Sequence, residues 1–107
     1  LLQEAIAGVR LVNFGHLGDG NLHYNVQAPE GGDAKVFLRE QEEHVNTLVY
    51  DSVARFEGSI SAEHGVGSLK TDKLPLYKSP VALSMMHAIK KALDPQNTMN
   101  PGRIVKL

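Results

Sequence analysis

Hydrophobic and polar positions change their period several times along the chain, and each change marks an element. Residues 9–14 read as a strand, and residues 22–28 as another, with Leu22, Tyr24, Val26 and Ala28 alternating against polar neighbours. Between them lies Gly18-Asp19-Gly20-Asn21. Asp-Gly at the centre of a two-residue loop is a strong hairpin signal, because both positions of a type I′ turn need positive φ. Pro29-Glu30-Gly31-Gly32 closes the second strand. Asp33 is placed to cap a long helix reaching about Phe56, with Val45, Leu48, Val49, Val53 and Phe56 on one face. Glu57-Gly58 stops it. Residues 59–62 read as a short strand with Ile60 and Ala62 pointing one way, followed by a flexible turn at Gly65-Val66-Gly67 and an irregular stretch over 70–78. Ser79-Pro80 opens a second helix with a stripe of Ala82, Met86, Ile89 and Leu93, ended by Asp94-Pro95. The tail, with Asn100-Pro101-Gly102-Arg103, reads as extended.

The order β-β-α-β-α predicts an α+β architecture: an antiparallel sheet with helices on one face, resembling part of a ferredoxin-like fold. At 107 residues the chain fits one domain, and 42% hydrophobic residues suffice for a modest core. The chain opens Leu1-Leu2-Gln3-Glu4 and enters an apolar segment at once. It therefore reads as a piece of a longer protein, expected to leave a sheet edge or face open.

Charge excludes more than it suggests. Eleven basic and twelve acidic residues are mixed along the chain for a net −1, which gives no electrostatic footprint for nucleic acid or an anionic membrane. Without cysteine there are no disulfides and no thiolate metal sites, which fits a reducing compartment such as the cytoplasm, or the mitochondrion in a eukaryote. No apolar run approaches the roughly 20 residues of a membrane span, and no signal peptide is visible.

The hairpin carries the first candidate chemistry. A loop formed by Asp19 and Gly20 alone pairs His16 with His23, and Phe14 with Asn25, on one face. Directly opposite residues stand about 4.5–5.5 Å apart at Cβ. Two imidazoles so placed can chelate one divalent ion at about 2.0–2.1 Å per nitrogen. Leu11, Leu17, Leu22, Tyr24 and Val26 fall on the other face, expected to be buried, with Asn13 as the misfit. A one-residue slip reverses every assignment. The plain alternative is two histidines decorating a solvated face.

Glu63 and His64 add weight to the metal reading. With Ser61, Glu63 alternates away from Ile60 and Ala62, and a carboxylate there completes a two-His, one-carboxylate set with open positions for substrate. His64 is then free to act as a base. The competing reading is a strand ending in a charged turn. A standard β-α-β crossover also makes residues 59–62 parallel to residues 22–28, which sets Glu63 far from His23 unless the segment reverses or folds back.

Gly15-His16-Leu17-Gly18-Asp19-Gly20-Asn21-Leu22-His23, followed by Ser61-Ala62-Glu63-His64-Gly65-Val66-Gly67, resembles the C-terminal domain of FAD-linked oxidases. That family includes D-lactate dehydrogenases, the flavin subunit of glycolate oxidase and D-2-hydroxyglutarate dehydrogenase. Asp94-Pro95 and Asn100-Pro101-Gly102-Arg103 match its closing pattern. The resemblance implies oxidation of a small D-2-hydroxy acid, with FAD bound mainly by an upstream flavin-binding domain. It implies His16, His23 and Glu63 as ligands of a divalent metal, zinc in relatives, Asn25 as a substrate contact, His64 as the base, and Asn100 near the flavin.

Other residues read more plainly. His44 and His87 take surface or packing roles, Met85, Met86 and Met99 fill core, and Lys70 is either an anion contact or an ordinary surface lysine. Two rival functions remain open: a self-contained zinc module or metallohydrolase in which Glu63 or His64 activates water, and a non-catalytic oligomerisation domain. As a fragment the chain is expected to lack flavin, to be inactive alone, and to self-associate through the edge near residues 9–14 or through helix stripes.

Overall fold

A computed structural model describes residues 1–107. The architecture is α+β: helices α1 (Leu2–Ala5), α2 (Ala34–Arg55), α3 (Leu74–Tyr77) and α4 (Pro80–Leu93), and a two-stranded antiparallel sheet of β1 (Arg10–His16) and β2 (Asn21–Gln27). The chain divides into two compact units, Leu1–Ser59 and Ile60–Leu107, each described by itself.

In the first unit the hairpin and α2 share one core. Leu2, Val9 and Val45 are its buried centre, with Ile6, Leu11, Phe37, Leu48, Val49 and Val26 packed around them. Leu11 and Val26 face each other across the sheet, so this is the face the alternation assigned to the interior. Burial fades toward the turn: Tyr24 is partly exposed and Leu22 is 59% exposed. Arg10 closes the far end by donating its Nε–H to the Ala28 carbonyl at 2.9 Å.

The caps of α2 follow sequence chemistry. Asp33 accepts from the amides of Lys35 and Val36, satisfying donors that the first turn leaves open. At the other end Glu57, not glycine, takes the left-handed conformation (φ 56°). Its amide donates to Ala54 and the Gly58 amide to Val53, a Schellman closure. Phe56 lies beyond the helix and is 85% exposed, so it does not continue the buried face.

The second unit departs most from the reading by period. Residues 59–62 form no strand, and the expected alternation fails: Ser61 is half-buried and Ala62 exposed. The Ile60 carbonyl accepts a side-chain donor in place of a ladder bond. Residues 70–78 are not wholly irregular, since α3 forms there. Helix α4 starts and ends where Ser79-Pro80 and Asp94 place it, and the Ser79 hydroxyl accepts from the Ala82 amide. Of its stripe, Ala82 and Met86 are half-buried, but Ile89 and Leu93 are exposed.

The tail is not extended. Asp94 is buried, and its carboxylate accepts from the Lys90 ammonium, the Thr98 amide and hydroxyl, and the Met99 amide. These bonds, led by that from Lys90, hold its pKa far below the ordinary carboxylate value. Asn97, Asn100 and Ile104 all take positive φ in this knot of turns. Arg103 donates its amide to the Asn100 carbonyl across Pro101-Gly102, with Gly102 at φ 73°. Proline then glycine at the centre is the chemistry of a type II turn.

Candidate functional site

The hairpin turn sets the geometry of the two imidazoles. Leu17–Asp19 forms one turn of 3-10 helix, and only Gly20 takes positive φ (65°), its amide donating to the Leu17 carbonyl. Asp19 stays right-handed, so the type I′ loop does not form and the connection uses four residues, 17–20. The register moves accordingly. His16 opposes Asn21, Gly15 opposes Leu22, Phe14 opposes His23, and Val12 opposes Asn25. His16 and His23 are therefore not a directly opposite pair, and Leu17 leaves the sheet altogether, 98% exposed.

The displacement is two residues, and an even shift preserves faces. His16, His23 and Asn25 still share one side of the sheet, opposite Leu11 and Val26. The histidines are now diagonal neighbours, their rings 5.7 Å apart between centroids and inclined at 61°. Phe14 takes the place directly across from His23 and stacks on it at 4.8 Å, nearly parallel at 3°. That stacking limits rotation of the His23 ring and gives the half-exposed Phe14 a partner on this face. His16 Nδ1 lies 3.8 Å from the Asp19 carboxylate, too long for a hydrogen bond.

Gly15 is a functional position that patterning passed over. A Cβ there would stand 2.1 Å from the Asn21 carbonyl oxygen and 3.0 Å from Leu22 Cα. Only glycine lets the strands close at this point, between the residues that carry the two ring systems. The available signal was a glycine inside a strand pattern, which marks close backbone approach. Gly18, by contrast, has open space around its Cβ position.

In the second unit Glu63 and His64 are adjacent and exposed on the irregular segment that precedes Gly65 (φ 77°) and Gly67 (φ 57°). The segment is tied at both ends. Lys70 donates its ammonium to the Ile60 carbonyl at 2.9 Å, and the Gly67 carbonyl accepts from the Ile104 amide at 2.8 Å and the Thr71 hydroxyl at 3.0 Å. Lys70 is thus half-buried and engaged with the backbone, which neither surface nor substrate reading anticipated. Asn100 is exposed at the start of the tail turn.

A model of the family described as FAD linked oxidases, C-terminal domain, matches residues 2–104. The chain belongs to this family. Within it, the chain is 46% identical over 104 residues to the D-2-hydroxyglutarate dehydrogenase of Stutzerimonas stutzeri, covering 97% of this chain and 22% of that protein. It is 40% identical over 95 residues to the mitochondrial D-2-hydroxyglutarate dehydrogenase of Arabidopsis thaliana, covering 89% of this chain and 16% of that one. It is 36% identical over 97 residues to the D-2-hydroxyglutarate–pyruvate transhydrogenase of Saccharomyces cerevisiae, covering 91% and 18%. The chain thus spans about a fifth of the length of the relatives it matches. No helix is long and apolar enough to cross a membrane.

His16 and His23 offer imidazole nitrogens on one face of the hairpin, and Glu63 is a carboxylate with solvent access, donor types that suit a divalent ion such as zinc.

Proposed function

We propose that this chain is the part of an FAD-dependent dehydrogenase that binds and deprotonates a D-2-hydroxy acid, of the 2-hydroxyglutarate type, for oxidation to the 2-oxo acid. The observation that carries the reading is the hairpin face with its two oriented imidazoles and Asn25, in a chain belonging to the FAD-linked oxidases. The relatives' agreement on D-2-hydroxyglutarate in their names supports the substrate class.

His16, His23 and Glu63 are the proposed ligands of a divalent cation, with zinc the ion that the family resemblance implies. When bound, the cation supplies Lewis acidity that lowers the pKa of a coordinated hydroxyl. Asn25, two residues beyond His23 on the same strand face, offers an amide that both donates to and accepts from a hydroxy acid. His64 accepts the hydroxyl proton, a task for which an imidazole ring nitrogen offers the lone pair. As the C2–H bond breaks, its electron pair leaves with the hydrogen and the C2–O bond becomes a carbonyl. The flavin, held mainly by a separate upstream domain in this reading, supplies the two-electron acceptor. Asn100 is the residue of this chain assigned nearest to it.

Zinc titration against a chromophoric chelator tests the ligand assignment. One equivalent is expected to bind, with affinity falling at least about 100-fold in His16→Ala, His23→Ala and Glu63→Gln, and unchanged in His44→Ala. Equal affinity across all four variants would remove the ligand set. The chain taken alone is also expected to self-associate, since each strand of the two-stranded sheet has one unpaired edge and Ile89 and Leu93 are exposed. A monomer by sedimentation equilibrium at high micromolar concentration would contradict this.

A further inference from the structure

The loop of residues 60–67 has no regular hydrogen-bond ladder, yet it carries the two residues from which the proposed chemistry demands the tightest placement. Such a segment must be fixed from outside itself. Two consecutive residues provide this. Lys70 reaches back across ten positions to the Ile60 carbonyl at the start of the loop. Thr71, 5% exposed, donates its hydroxyl around the Gly67, Ser68 and Gly102 carbonyls at the loop's end.

The two anchors are not equivalent. Gly67 is also held by the Ile104 amide, so its end of the loop has a second tether. Ile60 accepts from Lys70 just after the chain has left α2, where no strand pairing supports it. The donor is an ammonium withdrawn in part from solvent, and a charge-assisted bond of this kind is roughly twice as strong as a neutral one.

We propose that Lys70 is a positioning residue: its bond to the Ile60 carbonyl fixes the loop that presents Glu63 and His64. The inference rests on the reading of Glu63 as a metal ligand and His64 as the base. Lys70 itself touches neither substrate nor metal in this account. It acts as outer-shell groups do, by restricting where a ligand's backbone can go, and loss of such a group typically costs about 10- to 100-fold in metal affinity.

The test compares the chain with its Lys70→Met and Lys70→Arg variants. Methionine keeps the length and apolar stem without the donor, and arginine keeps a cationic donor. In Lys70→Met, backbone amide order parameters of residues 61–65 are expected to fall from about 0.85 to below about 0.6, while those of α4 stay unchanged. Zinc affinity is expected to fall about 10-fold, and Lys70→Arg to recover most of both losses. Unchanged loop order in Lys70→Met would overturn the proposal. So would loss of order in α4 as well, which would make Lys70 a determinant of stability and not of position. Failure of the unsubstituted chain to bind zinc would count against the ligand reading instead, and loop order would still decide the role of Lys70.

Discussion

In residues 1–59 the imidazoles of His16 and His23 stand on paired strands whose other face packs Leu11 and Val26 against α2. In residues 60–107 Glu63 and His64 stand on a loop held by a lysine, a threonine and the Ile104 amide. The first arrangement draws its rigidity from burial and backbone pairing, which are spread over many residues. The second concentrates it in a few polar bonds, so single substitutions there should act on the site without melting the unit. The comparison teaches that one family motif can sit on two kinds of support, with different vulnerabilities.

The largest expected effect strikes the first support. Gly15→Ala forces a Cβ against the Asn21 carbonyl, and the strands must separate. Overpacking of this kind costs about 1–3 kcal/mol. Urea denaturation should show that loss, while Gly18→Ala, in open space, should change stability by less than about 0.5 kcal/mol. Equal effects at the two glycines would mean that hairpin closure does not depend on Gly15.

Of the two units, the second should be the acid-sensitive one. Asp94 has its folded pKa depressed, chiefly by the hydrogen bond from Lys90, opposed by desolvation and aided by Thr98 and Met99. A group of this sign contributes stability that is fully present above its unfolded value of about 4 and is lost as pH falls through the lower folded value. Protection against amide exchange in residues 94–99, relative to the intrinsic rate at each pH, should therefore fall below about pH 4 before that of the hairpin does. Asp94→Asn should lower it already at neutral pH and flatten its acid dependence. An unchanged acid profile in that variant would assign the sensitivity elsewhere.

A smaller effect lies at the C-terminus of α2. Glu57 holds a left-handed conformation that costs an L-residue about 1–2 kcal/mol. Glu57→Gly should raise the stability of the chain by about 1 kcal/mol, read from the same urea curves. No gain would show that the Schellman closure carries no strain at that position.

How much of this was legible in the sequence follows the same division. Period and cap chemistry located α2 and α4 within a residue, because Asp33, Ser79-Pro80 and Asp94 are local signals with local consequences. The hairpin was legible in its faces but not in its pairing. Asp19-Gly20 contains two residues tolerant of positive φ, and only Gly20 uses it, so the loop lengthened and His23 acquired Phe14 as partner. The even displacement kept His16, His23 and Asn25 together. Residues 59–62 were misread as a strand because an alternation of Ile60, Ser61, Ala62 and Glu63 is too short to distinguish a strand from a tethered loop. The tether itself, Lys70 on Ile60, has no period at all. The motif that resembles the FAD-linked oxidases was legible throughout, since it depends on residue identity and not on secondary structure.

The central claim concerns what His64 does in the longer protein proposed here, and rapid mixing with D-2-hydroxyglutarate without oxygen measures it most directly. The unsubstituted protein should bleach its flavin absorbance on mixing. His64→Asn should do so about 100- to 10,000-fold more slowly, the usual contribution of a general base, with the resting flavin spectrum and zinc content unchanged. Bleaching at the original rate in His64→Asn would contradict the account, because proton removal would then belong to another group.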